Sequence, residues 1–477
     1  MNLREYQINP VKKGIEFFNS KASKPSLLVL PTAAGKSIII AFIAKEIKDK
    51  TIILQPSKEL LEQNYEKFSL IEGNASIYSA SKSIKEFGDI TYATIGSIKN
   101  IGKEFKQLGY KNLIVDEAHL YPRGSESMFG KFLKDSEIKN VLGLSATPFK
   151  LQTNSFAMQK YSILKMLTSV SKHGNLFKDI IHITQIQELT NLNYWSKLEY
   201  ELYDVDNGDL IFNSTQAEFT EESIEKFYKN QNIEQKIINK IENCNRNKIL
   251  VFVPSINDAI NLSQKVENSA AVYGDMPKID REQIINNFKN GNLKVIFNVN
   301  VLSVGFDYPE IDCIICGRPT ASLAWMYQAF GRGTRIHPNK ENCLIVDFTN
   351  NTNTFGKIED LYFEKEDKTW KLYGSGKRLL TGIAISDIKP LIPGQEKEIL
   401  FTFGKHIGKK VSEVPDSYLN WLLKDFTFNE RTLALREEIL RVKSARTNTL
   451  KSNVHNLLQS YGAEGLIIGK EQINFKE

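Results

Sequence analysis

The stretch LLVLPTAAGKSIII, residues 27–40, decides the fold. An apolar run ends at Pro31, a turn of small residues follows, and Gly35-Lys36-Ser37 opens a second apolar run. A buried strand, a tight turn and a helix build a phosphate-binding loop in that order. Backbone N–H groups at the helix start form an anion nest. Lys36 reaches the β- and γ-phosphates, and the Ser37 hydroxyl suits Mg²⁺. Gly35 lets the chain turn tightly. Two positions depart from the general pattern G-x-x-x-x-G-K-[ST]. Leu30 stands where it asks for Gly, and Ala33 stands where many such loops carry a second Gly. On these residues alone, an ordinary strand–helix turn with a solvated lysine is the alternative.

Outward from this stretch, short apolar runs alternate with helical patterns. SLLVLP, KTIILQP, DITYATI, NLIVDEAH and NVLGLSATP read as buried strands, with KSIIIAFIAKEIK and SKELLEQNYEKF as helices between them. That alternation predicts an α/β fold with a parallel sheet wrapped by helices. It breaks near residue 150 and resumes with KILVFVP, AAVYG, LKVIFNVN, IDCIICGRP and NCLIVDF. The expected organisation is two tandem parallel-sheet domains, 1–150 and 200–350. A connecting segment lies between them at 151–199, and a linker follows at 351–395. A small α+β module at 396–443 and a tail at 444–477 complete the chain. ESIEKFYKNQNIEQKIINKIEN reads as one long helix.

The 477 residues are 41% hydrophobic and 25% charged, as for a globular protein with a sizeable core. A net charge of +6 permits a nucleic-acid partner without requiring one. Four cysteines are too few for a disulfide scaffold. Cys313 and Cys316 form C-x-x-C, but residues three apart on a strand face opposite ways, which favours buried thiols over a zinc site. No apolar run approaches the roughly 20 residues of a membrane span. The expectation is a cytoplasmic protein of a bacterium or phage, without a membrane partner.

NLIVDEAH supplies the second half of a nucleotide site. An apolar strand delivers Asp116 and Glu117 at its C-terminal end, the ligand side of such sheets. Asp116 could hold Mg²⁺ through water, and Glu117 could orient and deprotonate an attacking water.

DEAH at 116–119, which adds His119, and SATP at 145–148 resemble motifs II and III of the superfamily 2 helicases. In that family the loop commonly reads A/L-P-T-x-x-G-K-S/T, so Leu30, Pro31 and Thr32 fit and Ala33 remains the departure. The resemblance implies two RecA-like domains binding ATP with Mg²⁺, the metal held at Ser37 and Asp116. The loop residues Pro31, Thr32, Ala33, Ala34, Gly35, Lys36 and Ser37 would surround the phosphates. LREYQ at 3–7 is similar to the adenine-reading Q motif, giving Arg4 and Gln7. NVNVLSVGFDYPEID resembles motif V, with Gly305 and Asp307 facing the nucleotide.

YQAFGRGTR resembles motif VI, Q-x-x-G-R-G-x-R. Gln328, Arg332 and Arg335 would act from across an interdomain cleft, the arginines as fingers stabilising charge on the transferring phosphoryl group. RPTASLAWMYQAFGRGTRIHPNKENCLIVDF at 318–348 is similar to the branch holding RadD, UvsW-like translocases and restriction motor subunits.

Candidate nucleic-acid contacts are Ser57 and Lys58 in LQPSKELLEQ, Thr94 and Ser97 in TYATIGSI, and Ser255 in ILVFVPSINDA. The alternative for each is a helix cap or surface residue. FTFGKHIGKKVSEVPDSYLNWLLKDF at 401–426 resembles the C-terminal module of exodeoxyribonuclease X-like proteins. There Lys405, Lys409 and Lys410 would bind phosphate and Trp421 would stack on a base. The expected function is an ATP-dependent DNA helicase or translocase in repair, recombination or replication, moving 3′ to 5′. It would act as a monomer on a single strand, fork or junction, alongside recombination or replication proteins. An RNA helicase, a restriction motor subunit and an ATP-switched clamp without turnover are the other readings.

Overall fold

A computed structural model describes residues 2–20, 24–71, 74–121, 127–156, 159–169, 175–302, 306, 308–388, 405–406, 409, 411–426, 435–436, 439–440 and 442–443. Residues 1–390 form one compact unit and 391–477 another.

The first unit opens with helix α1 (Glu5–Asn19), whose buried Gln7, Pro10, Val11, Gly14, Phe17 and Phe18 recur at helical spacing. Strand β1 (Ser26–Val29) follows, then α2 (Lys36–Glu46), β2 (Thr51–Gln55) and α3 (Lys58–Ser69). The sheet continues with β3 (Ser76–Ser79), β4 (Ile84–Lys85), β5 (Ile90–Thr94), β6 (Asn112–Val115) and β7 (Asn140–Ser145). A two-stranded antiparallel hairpin, β8 (Phe149–Phe156) and β9 (Gln159–Met166), comes next, then β10 (Asp179–Ile183). The sheet order is β10-β1-β7-β6-β2-β5-β3-β4, parallel throughout except at β4. β1 lies between two neighbours with all four residues buried, so its sequence is a continuous apolar run.

The second sheet takes β11 (Lys197–Leu202), β12 (Ile249–Phe252), β13 (Ser269–Val272), β14 (Val295–Asn298), β15 (Cys313–Cys316) and β16 (Asn342–Asp347). Its order is β11-β16-β15-β12-β14-β13, all parallel. On β15, Cys313 and Ile315 pack into one core and Ile314 and Cys316 into the other. All four cysteines are free and buried.

Three sequence expectations change. Residues 151–199, read as a connection, instead supply the hairpin and edge strands of both sheets. Residues 351–395, read as a linker, carry an antiparallel sheet of β17 (Tyr362–Glu366), β18 (Thr369–Gly374) and β19 (Arg378–Leu379). Leu372 and Leu380 there are fully buried. This sheet is tied down by Gln185, whose side chain donates to the Phe363 carbonyl at 2.7 Å and accepts from its N–H at 3.1 Å. The expected long helix is two, Glu221–Asn230 and Ile233–Glu242, because Asn232 takes a left-handed backbone with φ 50°. Asn tolerates that conformation better than most residues.

In the second unit Pro415 caps a helix over Asp416–Asp425. Val411, Val414, Leu419 and Leu422 form its core with Leu435, Ile439 and Val442.

Candidate functional site

Loops at the strand ends of the two domains line a cleft with a cavity of about 150 Å³. From the first domain it is lined by Pro31, Thr32, Ala33, Gly35, Lys36, Ser37, Asp116 and Glu117, and from the second by Gln328, Arg332 and Arg335. Leu30 is fully buried, and its N–H extends the β1 ladder onto the Ser145 carbonyl at 3.1 Å. It belongs to the strand, so a glycine there has no geometric purpose. The loop proper turns through two left-handed residues, Ala33 (φ 62°) and Gly35 (φ 76°). The second is suited to glycine; the first costs an alanine roughly 1–2 kcal/mol. Ala34 is buried, and its carbonyl accepts from Gln7 Nε2 at 2.9 Å and from the Tyr6 hydroxyl at 3.2 Å. Gln7 Oε1 takes the Arg4 N–H at 3.0 Å, and the Arg4 guanidinium lies 4.7 Å from the Tyr194 ring centre. The segment carrying Arg4 and Gln7 thus braces the loop from behind.

Lys36 Nζ lies 3.1 Å from Glu117 Oε1, both side chains 14% exposed. Asp116 is buried, its carboxylate receiving the Glu117 N–H at 2.9 Å and Asn64 Nδ2 at 3.3 Å. Burial and the neighbouring Glu117 charge push the Asp116 carboxyl up to about 7. Burial also opposes ionisation of Glu117, but the charge and hydrogen bond of Lys36, with the charge of Arg332, help hold that carboxyl below its ordinary value. Glu117 has a left-handed backbone, φ 47°, a strain of the kind found at functional sites.

His119 connects three motifs. Its Nδ1 is 2.9 Å from Ser145 Oγ and 3.4 Å from Glu117 Oε2. Its Nε2 is 3.1 Å from Gln328 Nε2, across the cleft. The Gln328 amide can only donate there, which puts the ring proton of a neutral His119 on Nδ1. Burial lowers its pKa, in keeping with the neutral form. Other bonds close the cleft: Thr32 N–H to the Tyr327 hydroxyl at 3.3 Å, Trp195 Nε1 to the Thr32 carbonyl at 2.9 Å, and Ser196 N–H to the Thr334 carbonyl at 2.7 Å. A Cβ on Gly331 would come within 2.6 Å of Thr32 Oγ1, so the GRG turn lies directly against the loop. Arg332 donates to the Phe306 carbonyl at 2.9 Å.

Gly305 and Asp307 lie outside the described residues, as does Lys410. Ser57 caps α3 by accepting the Leu60 N–H at 3.2 Å, Ser255 caps its helix in a reciprocal box with Asp258, and Thr94 and Ser97 bond each other at 3.0 Å. Lys58 opens α3. In the second unit, the Lys409 N–H bonds the His406 carbonyl in a turn that also carries Lys405, and Trp421 is 49% exposed. The sequence reading missed Leu60, Gln63 and Lys67 on the cleft side of α3, and Asn64 behind Asp116. The i, i+4 spacing of Gln63 and Lys67 was an available signal.

Residues 1–150 match the family described as "Type III restriction enzyme, res subunit", and 211–337 match "Helicase conserved C-terminal domain". The chain carries the two-domain core of the ATP-dependent superfamily 2 helicases. This helicase core is 26% identical over 373 residues to the irc3 protein of Schizosaccharomyces pombe, named as a candidate mitochondrial ATP-dependent helicase. The match covers 73% of this chain and 57% of that protein, so the chain spans little more than half of that relative's length. It is 24% identical over 386 residues to "DNA 3'-5' translocase XPB2" of Sulfurisphaera tokodaii, covering 74% of this chain and 82% of that one. Its fold is similar to that of the ATP-dependent Type ISP restriction-modification enzyme LlaBIII, solved bound to DNA. The TM-score is 0.54 and the identity 16%, over 73% of this chain and 28% of that one. Among the described residues no helix is long and apolar enough to cross a membrane.

Proposed function

We propose that the helicase core hydrolyses ATP in this cleft and uses the cycle to move 3′ to 5′ along DNA. The observation that carries the reading is the cleft's composition from two domains. Lys36, Asp116 and Glu117 face Gln328, Arg332 and Arg335, with His119 and Gln328 in contact across the gap. A site completed only by closure ties the chemical state of a nucleotide to domain position. The name of the archaeal relative supports DNA as the track and the polarity.

The residues fit a nucleotide. Among the described residues, the buried hydroxyl of Thr32, which lines the cleft, has no hydrogen-bond partner. A hydroxyl and a carboxylate, Ser37 and Asp116, are the hard oxygen donors magnesium prefers. They would hold the ion, which when bound neutralises charge on phosphate oxygens. Lys36 and the loop N–H groups would bind the phosphates, and Arg4 and Gln7 would read the base. Glu117 would orient water and accept its proton, while Arg332 and Arg335 would stabilise charge on the transferring group. Gly305 and Asp307 would join from motif V. We place Ser57, Lys58, Thr94, Ser97 and Ser255 along the DNA backbone. Lys405, Lys409, Lys410 and the exposed Trp421 would form an accessory DNA contact in the second unit. The branch of RadD and UvsW, and a role in repair, recombination or replication, are part of this proposal.

The test is Lys36→Ala. DNA-stimulated ATP hydrolysis should fall to background while circular dichroism and melting temperature stay near those of the parent. Full stimulated activity in the variant would refute the mechanism.

A further inference from the structure

The hairpin β8–β9 springs from the loop after Ser145, and the proposed mechanism leaves it unused. Its two faces differ. One face packs inward: Phe149, Leu164 and Met166 are buried, and Thr153 and Ser162 donate to the Thr215 carbonyl at 2.9 and 2.7 Å. The other face carries the register pairs Lys150–Lys165, Gln152–Ile163 and Asn154–Tyr161, all exposed or half-exposed.

Two observations concern charge. Asp and Glu make up 56 of 477 residues, one in about every nine, yet none occurs from 138 to 178. That span holds Lys139, Lys150, Lys160, Lys165, Lys172 and Lys178. Secondly, Lys150 and Lys165 are directly opposite each other in the ladder. Like charges in that arrangement destabilise a strand pair. Among the described residues neither has a carboxylate partner. A polyanion along this face would neutralise both, the Asn154 amide, which accepts from Gln152 Nε2 at 3.1 Å, could turn its own N–H groups to phosphate oxygens, and Tyr161 offers a ring for stacking.

We infer that the outward face of the hairpin β8–β9 binds the phosphodiester backbone of a nucleic-acid strand, with Lys150 and Lys165 as its paired phosphate contacts. The inference rests on the nucleic-acid motor reading above. The hairpin is well placed for such a contact. It follows Ser145 directly, and Ser145 bonds the His119 that touches Gln328 across the cleft.

The experiment uses the full chain, fluorescent poly(dT) and a DNA duplex. Binding is measured over a range of salt concentrations, and ATP turnover with and without DNA. Lys150→Gln/Lys165→Gln is compared with the parent and with Lys229→Gln/Lys289→Gln, a matched loss of two exposed lysines elsewhere. The hairpin variant should bind several-fold more weakly. Its log–log salt slope on poly(dT) should flatten by about 1.4, two released counterions' worth. Turnover without DNA should be unchanged, and melting temperature equal or higher, since a like-charge pair is removed. The control pair should match the parent in slope. If the hairpin variant keeps the parent's affinity and slope while DNA stimulates both, the hairpin assignment fails alone. If the parent neither binds nor responds to any DNA, the motor reading fails and takes the assignment with it. Equal losses in DNA-free turnover and in binding would make the hairpin's role structural and overturn the assignment.

Discussion

Ala33 and Gly35 share a left-handed backbone and differ in what they can tolerate. Gly35→Ala adds a Cβ 2.6 Å from Gln7 Nε2 at φ 76°. We expect a loss of about 1–2 kcal/mol in urea unfolding, with ATP binding weakened. Adding Gln7→Ala should not restore stability, because the backbone strain remains after the contact is gone. Ala33→Gly should instead leave the unfolding midpoint equal or higher, since relief of strain opposes the added chain entropy. Asp116 sets a pH dependence. Its folded-state carboxyl, up to about 7, lies above the ordinary value of about 3.9. Between those limits the nucleotide-free folded state holds the extra proton, so this residue's contribution to stability falls as pH rises towards 7. Binding of a divalent cation runs the opposite way and strengthens over the same window. Asn64→Leu removes a hydrogen bond to the ionised form, so the acidic limb of magnesium-dependent turnover should move to higher pH. An unmoved limb would contradict the assignment.

The contacts between elements were the least legible in the sequence. The phosphate loop and the DEAH strand end are short motifs whose spacing follows from one strand and one turn, and they could be read directly. The Thr32–Tyr327 bond joins positions 295 apart in sequence, and no local periodicity encodes such a pairing. Gly331 looked like one residue of a motif; its lack of a side chain is what lets the GRG turn reach Thr32. Gly331→Ala should hold the cleft slightly open at a cost of about 1–3 kcal/mol in closure. The expected result is lower kcat with little change in nucleotide affinity, measured by steady-state turnover beside nucleotide titration. The break at Asn232 was hidden because apolar spacing continues through it. The sheet β17–β19 was hidden because YFEKE is charged enough to read as a loop.

The whole molecule divides at residue 390, not where composition suggested a linker near 351. The segment after β16 belongs to the first unit because Gln185 and Tyr200 hold it: the Tyr200 hydroxyl donates to Glu359 at 2.5 Å. A chain ending at 390 should therefore fold and hydrolyse ATP, whereas one ending at 350 should lose solubility or melt many degrees lower. Differential scanning fluorimetry and an ATPase assay on the two truncations decide this. If the proposed DNA contacts of the second unit are right, the 390-residue chain will also need more DNA for half-maximal stimulation.

The ion pair between Lys36 and Glu117 has a consequence for timing. A carboxylate held by an ammonium group is a poor proton acceptor. On the roles proposed here, the base is occupied by the residue that must grip phosphate. Incoming phosphate competes for Lys36 and, by winning it, arms Glu117. Substrate capture thus comes before basicity.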